Sequence, residues 1–302
     1  MRLLLLGCTG LIGRELVPML KAEGHKCTIV SRHSSKADLC LDLSKPTTWR
    51  NDALLRVLDS TDGVINLVGE PIADQRWSSA HLQRLRDSRL LTTRCLVKAM
   101  NCCKHPPLVL INASAVGFYG TDPVRQFAES SPAGNDTLAS LCCDWEIAAQ
   151  EKPDATRLLV LRIGVVLAPD GGALGKMLPV FRAGFGGPVG DGRQWMSWIY
   201  RTDLCRMISN ALLNPDWVGV VNGVAPKPVS MTDLATSLGR VLGRPSILAV
   251  PGPILRMLLG EGAKVVLEGQ YVISDRLESL GFTFSHPDLA SALAAATKPT
   301  NH

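Results

Sequence analysis

Gly7, Gly10 and Gly13 stand three residues apart in "LLLLGCTGLIGREL", and that spacing has a chemical use. One glycine permits a tight turn out of a strand, a second lets backbone approach a pyrophosphate, and a third lets the following helix pack on the sheet. The N-terminus of that helix offers free N–H groups and partial positive charge to the phosphates. Thr9, Leu11 and Ile12 lie in the same turn and are expected to share the contact with a dinucleotide. The next apolar run ends in "IVSRHSSK", with Ser31, Arg32 and His33. An NAD site usually carries a carboxylate there, accepting from the ribose 2′-hydroxyl; Arg32 instead offers a guanidinium fork suited to a 2′-phosphate, which favours NADP. Asp42, in "CLDLSK", is expected to accept from an adenine amino group. Asn66, Leu67, Val68 and Gly69, in "VINLVGEPI", are expected at the same sheet edge. Glu70, Arg76 and Trp77 follow on a loop expected to face the nicotinamide end, with Glu70 as the candidate acid and Arg76 and Trp77 toward the substrate.

Such groups converge only if a parallel sheet presents its carboxyl edge to one crevice. Short Leu/Ile/Val runs alternate with helix-period stretches through the first half of the chain, the rhythm of βαβ units. Strands are predicted near Arg2–Leu6, Lys26–Ser31, Leu39–Leu41, Gly63–Leu67, Leu108–Asn112 and Leu158–Ile163. Helices are predicted near Leu11–Glu23, Asp52–Leu58, Ser78–Met100 and Asp136–Gln150. The fold class expected is α/β: a Rossmann-like doubly wound parallel sheet with a smaller C-terminal α/β substrate domain. The division expected is 1–165 for NADP binding and 166–302 for substrate, with about 196–225 returning to the sheet. "GFGGPVGDG" at Gly184–Gly192 holds five glycines in nine residues and is expected to be mobile.

Composition removes several alternatives. Among 302 residues, 32 are basic and 27 acidic, giving +5, and no Lys/Arg block is dense enough for a nucleic-acid face. Nine cysteines include no C-x-x-C pair and six histidines show no ligand spacing, so no metal site is expected. Most of the thiols fall in apolar stretches, as in a reducing, cytoplasmic protein, and the vicinal pairs Cys102–Cys103 and Cys142–Cys143 read as packing. The run in "MRLLLLGC" is four leucines long, below the ~7–15 apolar residues of an export signal, and reads as the first strand. No segment approaches a membrane span; the most apolar, "LLVLRIGVVLA", is interrupted by Arg162.

The glycine turn, "ASAVGFYG" at Ala113–Gly120, "LRIGVVLAP" at Leu161–Pro169 and "WIYRTDL" at Trp198–Leu204 resemble the extended short-chain dehydrogenase/reductase superfamily, NAD(P)-dependent epimerase/dehydratase branch. "NLVGEPIADQRW", "GGALGKMLPVFRAGFGGPVGDGRQW" and "GEGAKVVLEGQYVISDRLESLGF" resemble an atypical subfamily of epimerase family proteins, some described as cell-division inhibitors. The resemblance spans essentially the whole chain. It implies a catalytic role for Ser114, a wall position for Tyr119, a cofactor contact for Arg89 in "SRLLTT", and Val165 and Val166 lining the nicotinamide. It also implies that the stretch between Arg182 and Arg193 closes over a diphosphate-bearing substrate. One departure is chemical. The superfamily's Tyr-x-x-x-Lys pair, in which lysine lowers the phenol's pKa, is absent: Pro123, Leu204 and Asp275 stand four residues after Tyr119, Tyr200 and Tyr271. Counting back from Glu146, the two positions hold Leu138 and Cys142, and Tyr200 stands where relatives commonly show histidine. Two functions stay open. One is an NADP-dependent oxidoreductase or epimerase acting on a polar carbonyl or sugar-like small molecule, with Ser114 and Glu70 handling the oxygen. The other is an NADP(H)-binding regulator acting through a protein partner; a homodimer fits either.

Overall fold

Leu3, Leu4, Leu5 and Leu6 are all buried, with no polar alternation, as a strand covered by helices on both faces requires. They belong to β1 (Arg2–Leu6) in the computed structural model, which describes residues 1–32 and 37–298; His33 lies outside the described residues. The chain continues through α1 (Gly13–Ala22), β2 (Lys26–Ser31), β3 (Leu39–Cys40), α2 (Asp52–Asp59), β4 (Gly63–Asn66), α3 (Ser79–Asn101) and β5 (Val109–Ala115). Then come β6 (Gln126–Phe127), α4 (Thr137–Gln150), β7 (Arg157–Ile163), β8 (Val165–Leu167), α5 (Gly172–Arg182), β9 (Trp195–Met196), β10 (Trp198–Tyr200) and α6 (Arg201–Leu213). The last elements are β11 (Gly219–Gly223), β12 (Val229–Ser230), α7 (Met231–Leu242), α8 (Gly252–Leu259), α9 (Lys264–Leu267), β13 (Tyr271–Val272) and α10 (Leu289–Thr297).

Seven strands form one sheet in the order β11-β7-β5-β4-β1-β2-β3, with every pairing parallel. The winding reverses at β1, whose neighbours are β2 and β4, and in open α/β sheets a ligand crevice lies at that point. This is a Rossmann-like fold. Alternate residues of each strand feed opposite cores: Leu3, Leu5, Ile65 and Ile111 pack with Leu16 of α1 and Leu204 and Ile208 of α6. Leu4, Leu6, Val64 and Leu110 pack with Leu54 and Leu58 of α2 and Leu96 and Met100 of α3.

A third core joins α5, α7 and α10 through Leu174, Leu178, Leu234, Leu238 and Leu293. Short pairs, β8 with β10, β9 with β12 and β6 with β13, tie this part to the carboxyl edge of the large sheet. The glycine-rich stretch corrects an expectation, because it is pinned rather than free. Gly186 O and Pro188 O accept from Leu248 N and Val250 N at 3.0 and 2.9 Å, and Gly190 N donates to Val250 O at 2.9 Å. A Cβ on Gly187 would lie 2.2 Å from Leu248 O and one on Gly186 2.4 Å from the Phe181 ring, so these glycines serve close packing. Among the described residues no helix is long and apolar enough to cross a membrane.

Candidate cofactor site and its neighbours

Three glycines of one motif have different reasons to be there. Gly7 has φ +73°, and a Cβ on it would sit 2.7 Å from the backbone of Leu67 and Val68. A Cβ on Gly13 would sit 1.8 Å from Cys8 O. Both are demanded by the chain's own backbone. Gly10 is not: it is exposed, its φ is ordinary, and the nearest atom to a Cβ there is Gly7 O at 3.7 Å. Its bare surface faces open space beside the first turn of α1, where Ile12 supplies no capping side chain. Arg14 N and Glu15 N already donate to Gly10 O and Ile12 O at 3.1 and 3.2 Å, so it is the N–H groups just ahead of them that are left for an anion. Thr9 Oγ1 and Ser31 Oγ share a hydrogen bond of 2.9 Å across the turn, and Leu11 packs on Gly171 and Gly172.

Arg32, just beyond β2, donates from Nη2 to Glu70 Oε2 at 3.2 Å. This corrects the expectation for Glu70: its carboxylate is drawn toward the end of β2 rather than held as a free acid at the nicotinamide end. Arg89 reaches the same turn from α3, donating to Glu70 O at 3.0 Å and Leu85 O at 3.3 Å with its guanidinium 5.3 Å from the Trp145 ring. Gly69 makes room for it, since a Cβ there would lie 2.9 Å from Nη2. Burial pushes the Arg89 pKa below its ordinary value. Asp42 turns inward to Ser44, accepting from its Oγ at 2.7 Å and its N–H at 3.2 Å. Burial pushes the Asp42 carboxyl up, but those hydrogen bonds and the nearby Arg32 and Lys45 leave it below the usual aspartate range. Asn66 is a second correction. Its side chain is fully buried, donating to Asn112 Oδ1 at 2.7 Å and Thr93 Oγ1 at 3.0 Å and accepting from Val68 N, so it is committed within the protein rather than turned to a ligand. Leu67 and Val68 are half-buried beside it.

Ser114, the next-to-last residue of β5, is almost wholly buried and donates to Glu146 Oε1 at 2.6 Å. Arg162 clamps the same carboxylate, Nε to Oε1 and Nη2 to Oε2, both at 2.8 Å. The remaining Nη1 donates to the Tyr119 hydroxyl at 2.9 Å, and Tyr119 donates to Asn222 Oδ1 at 2.7 Å. Phe118 lies against the guanidinium, with its ring centroid 3.3 Å from Arg162 Cζ. Tyr119 is therefore a core residue, stacked on Phe127 with its hydroxyl engaged on both sides, which corrects its expected place in a substrate wall. On α4, Leu138, Cys142 and Glu146 lie one turn apart on one face, and the first two stand 3.5 and 4.0 Å from where a Gly117 Cβ would be. Burial pushes the Cys142 thiol up to about 12, so it is neutral at physiological pH.

Residues 3–222 match the NAD dependent epimerase/dehydratase family, and residues 250–296 a domain of unknown function, DUF1731. The chain belongs to the NAD dependent epimerase/dehydratase family. It is 42% identical over 299 residues to the chloroplastic epimerase family protein SDR39U1 homolog of Arabidopsis thaliana, covering 96% of this chain and 84% of that one. Among solved structures it is similar to human epimerase family protein SDR39U1 (isoform 2) with NADPH: TM-score 0.91, 36% identity, 98% of this chain and 99% of that chain. A nucleoside-diphosphate sugar epimerase from Corynebacterium glutamicum superposes with TM-score 0.76 at 31% identity, covering 98% of this chain and 58% of that one.

Within this family member the other expected site residues scatter. Val165 and Val166 are half-buried at the carboxyl end of the sheet, where β8 pairs with β10. Arg76 and Trp77 dock the C-terminal segment: Trp77 N donates to Leu259 O at 3.4 Å, its indole packs where a Gly262 Cβ would be, and Arg76 lies against Gly260. Arg182 and Arg193 are exposed at the two ends of the pinned ribbon, with no ion pair among the described residues. Sequence reasoning missed Glu146 and Arg162 as a unit. The signal was a cation inside an apolar run, one residue from the end of β7, which cannot stay charged in a core without an anion opposite.

Proposed function

We propose that this chain binds NADP(H) at the carboxyl edge of its sheet and acts as an epimerase-like oxidoreductase on a polar carbonyl or sugar-like small molecule. Gly10 carries the reading. Gly7 and Gly13 answer to the protein's own backbone, whereas a glycine with open space beside it answers to something that lies against it. Arg32, where an NAD site would hold a carboxylate, supports the 2′-phosphorylated form, and the NADPH in the human relative's structure supports the same choice. The bound nicotinamide supplies the hydride donor or acceptor. The glycine turn and the uncapped end of α1 bind and orient phosphate, and Val165 and Val166 keep water from the sheet edge. Ser114 has its proton committed to Glu146, so in this reading it accepts from a substrate hydroxyl rather than donating to a carbonyl.

One observation favours a second reading, a regulator with a protein partner: Leu138 and Cys142 bring no acid or base to the substrate end. Nine free thiols support a reducing, cytoplasmic setting for either. Titration of purified protein with NADPH and NADH, then a panel of aldehydes, ketones and nucleotide sugars with product analysis, separates them. The enzyme reading expects tighter NADPH than NADH, and turnover that Ser114→Ala abolishes without weakening NADPH. Tight NADPH with no turnover on the panel would transfer the conclusion to the regulator, and absence of NADPH binding would overturn both.

A further inference from the structure

Arg32 leaves β2 and Glu70 leaves the turn after β4, and β1 with its glycine turn lies between those two strands. Their ion pair therefore spans the crevice above the turn. Glu70 is held by its main chain on both sides: its N–H donates to Ser88 Oγ at 3.0 Å and its carbonyl accepts from Arg89 Nη2 at 3.0 Å. Its side chain alone crosses to Arg32, and it is the one carboxylate within ion-pair distance of that guanidinium among the described residues.

We propose that Glu70 is a cofactor-selection residue, the resident anion of Arg32 that a 2′-phosphate must displace. The inference rests on the NADP(H) reading above and adds a competitor to it. A carboxylate and a phosphate both fit the Nη edge of a guanidinium, and two anions on one fork repel. Exchange is open to this pair because the Arg32 side chain is 49% exposed, so water and a ligand reach its guanidinium, while Glu70 at 18% keeps partial access to solvent. The Arg162–Glu146 pair, 5% and 10% exposed, has no such freedom. An unphosphorylated adenosine leaves the strap in place and is indifferent to it. Glu70 thus holds the preference for the 2′-phosphorylated cofactor below what Arg32 alone would give.

Glu70→Gln keeps the side chain's size and both main-chain anchors while removing its charge. Calorimetric titration of the full chain with adenosine 2′,5′-bisphosphate and adenosine 5′-monophosphate isolates the 2′-phosphate from the nicotinamide end. The expected result is bisphosphate affinity raised roughly threefold to tenfold in Glu70→Gln, as loss of an exposed competing ion pair allows, with the monophosphate within about twofold. Arg32→Gln should lose the preference for bisphosphate. Unchanged or weaker bisphosphate binding in Glu70→Gln, with the preference still lost in Arg32→Gln, would show that Glu70 orients Arg32 and overturn the competition while leaving the NADP(H) reading intact. A wild-type chain with no preference for the bisphosphate would overturn that reading and this inference together.

Discussion

Substituting alanine at Gly10 and at Gly13 in turn separates what the fold needs from what a ligand needs. At Gly13 the new methyl would lie 1.8 Å from Cys8 O, 2.2 Å from Cys8 C and 2.5 Å from Cys8 Cα. All three are backbone, so no flexible side chain can give way, and α1 must move off the sheet. Overpacking of this kind costs about 1–3 kcal/mol in ordinary cores; a contact this short with main chain belongs at or above the upper end, about 3 kcal/mol or more. At Gly10 the nearest atom is 3.7 Å away, an ordinary contact, and φ is not positive, so stability should stay within about 0.5 kcal/mol of wild type. The same methyl would stand between the turn and a pyrophosphate, and about 2 kcal/mol of lost contact there is roughly a thirtyfold fall in NADPH affinity. Urea denaturation and fluorescence titration with NADPH read the two quantities separately. Gly10→Ala should be stable and weak-binding, Gly13→Ala destabilised. A Gly10→Ala protein that binds NADPH like wild type would refute the claim that this glycine exists for a ligand, and an undisturbed Gly13→Ala would refute the packing argument.

Further expectations concern the charges and the thiols. Arg162→Met leaves Glu146 buried without its cation and should destabilise by about 3–5 kcal/mol, whereas Arg162→Met with Glu146→Leu should recover most of the loss, since apolar replacement of a whole buried pair is often neutral; urea midpoints of the single and double variants check this. Iodoacetamide at pH 8 with peptide mapping should label exposed Cys40 and Cys102 before Cys8, Cys142 and Cys205, whose thiols burial pushes up; because Cys40 Sγ donates to Arg32 O at 3.2 Å, NADPH should slow labelling at Cys40 but not at Cys102. Acid should unfold the chain through particular aspartates: the Arg2 N–H and guanidinium hold Asp62 low against burial, and Asp170, pushed up by burial, is pulled below its ordinary value by Arg201 and Arg14. Folded values below unfolded ones add stability that is complete above about pH 5 and lost as pH falls through the folded values, so Asp170→Asn should lower the urea midpoint at pH 7 and flatten its dependence below pH 4, and an unchanged slope would count against the assignment.

The longer strands were legible because buried parallel strands read as apolar runs: β1, β2, β4 and β7 come within a residue of expectation, β5 starts one residue and ends three residues later, and β11 falls in the 196–225 stretch expected to return to the sheet. Of the two- and three-residue strands, β3 was expected and β9 and β10 lie where a strand-helix-strand pattern was read, whereas β6, β8, β12 and β13 were not foreseen, because so short a segment has no period to read. The glycine-rich stretch was misread for a physical reason: glycine permits mobility and close packing alike, and only the opposing chain at Leu248–Val250 shows which applies. Asn66 and Glu70 look like ligands from sequence because polar residues at and just after a strand end point at crevices, and Tyr119 because it matches a motif of the family the chain resembles. Whether such a group is free depends on Asn112, Arg32 and Asn222, which lie 46, 38 and 103 residues away. Arg162 carried a signal that went unread, a charge inside an apolar run, and its partner Glu146 stands 16 residues away with nothing in the spacing to name it.

Ser114 shows what the absence of the usual pair means for chemistry. Of the α4 face beside it, Leu138 has no proton to give and the Cys142 thiol, pushed up to about 12, keeps its own. Its one hydrogen-bonded carboxylate, Glu146, has both oxygens on Arg162, so both are already engaged within the protein. The serine proton is fixed on one side and no exchangeable acid stands on the other. A substrate oxygen bound here can therefore be oriented by Ser114, but a proton entering or leaving it has to travel through solvent or the substrate itself. Under the enzyme reading, that separates hydride transfer, which the cofactor would supply, from proton transfer, which these protein groups do not supply. It is the physical reason the candidate reaction is one whose oxygen needs positioning more than acid catalysis.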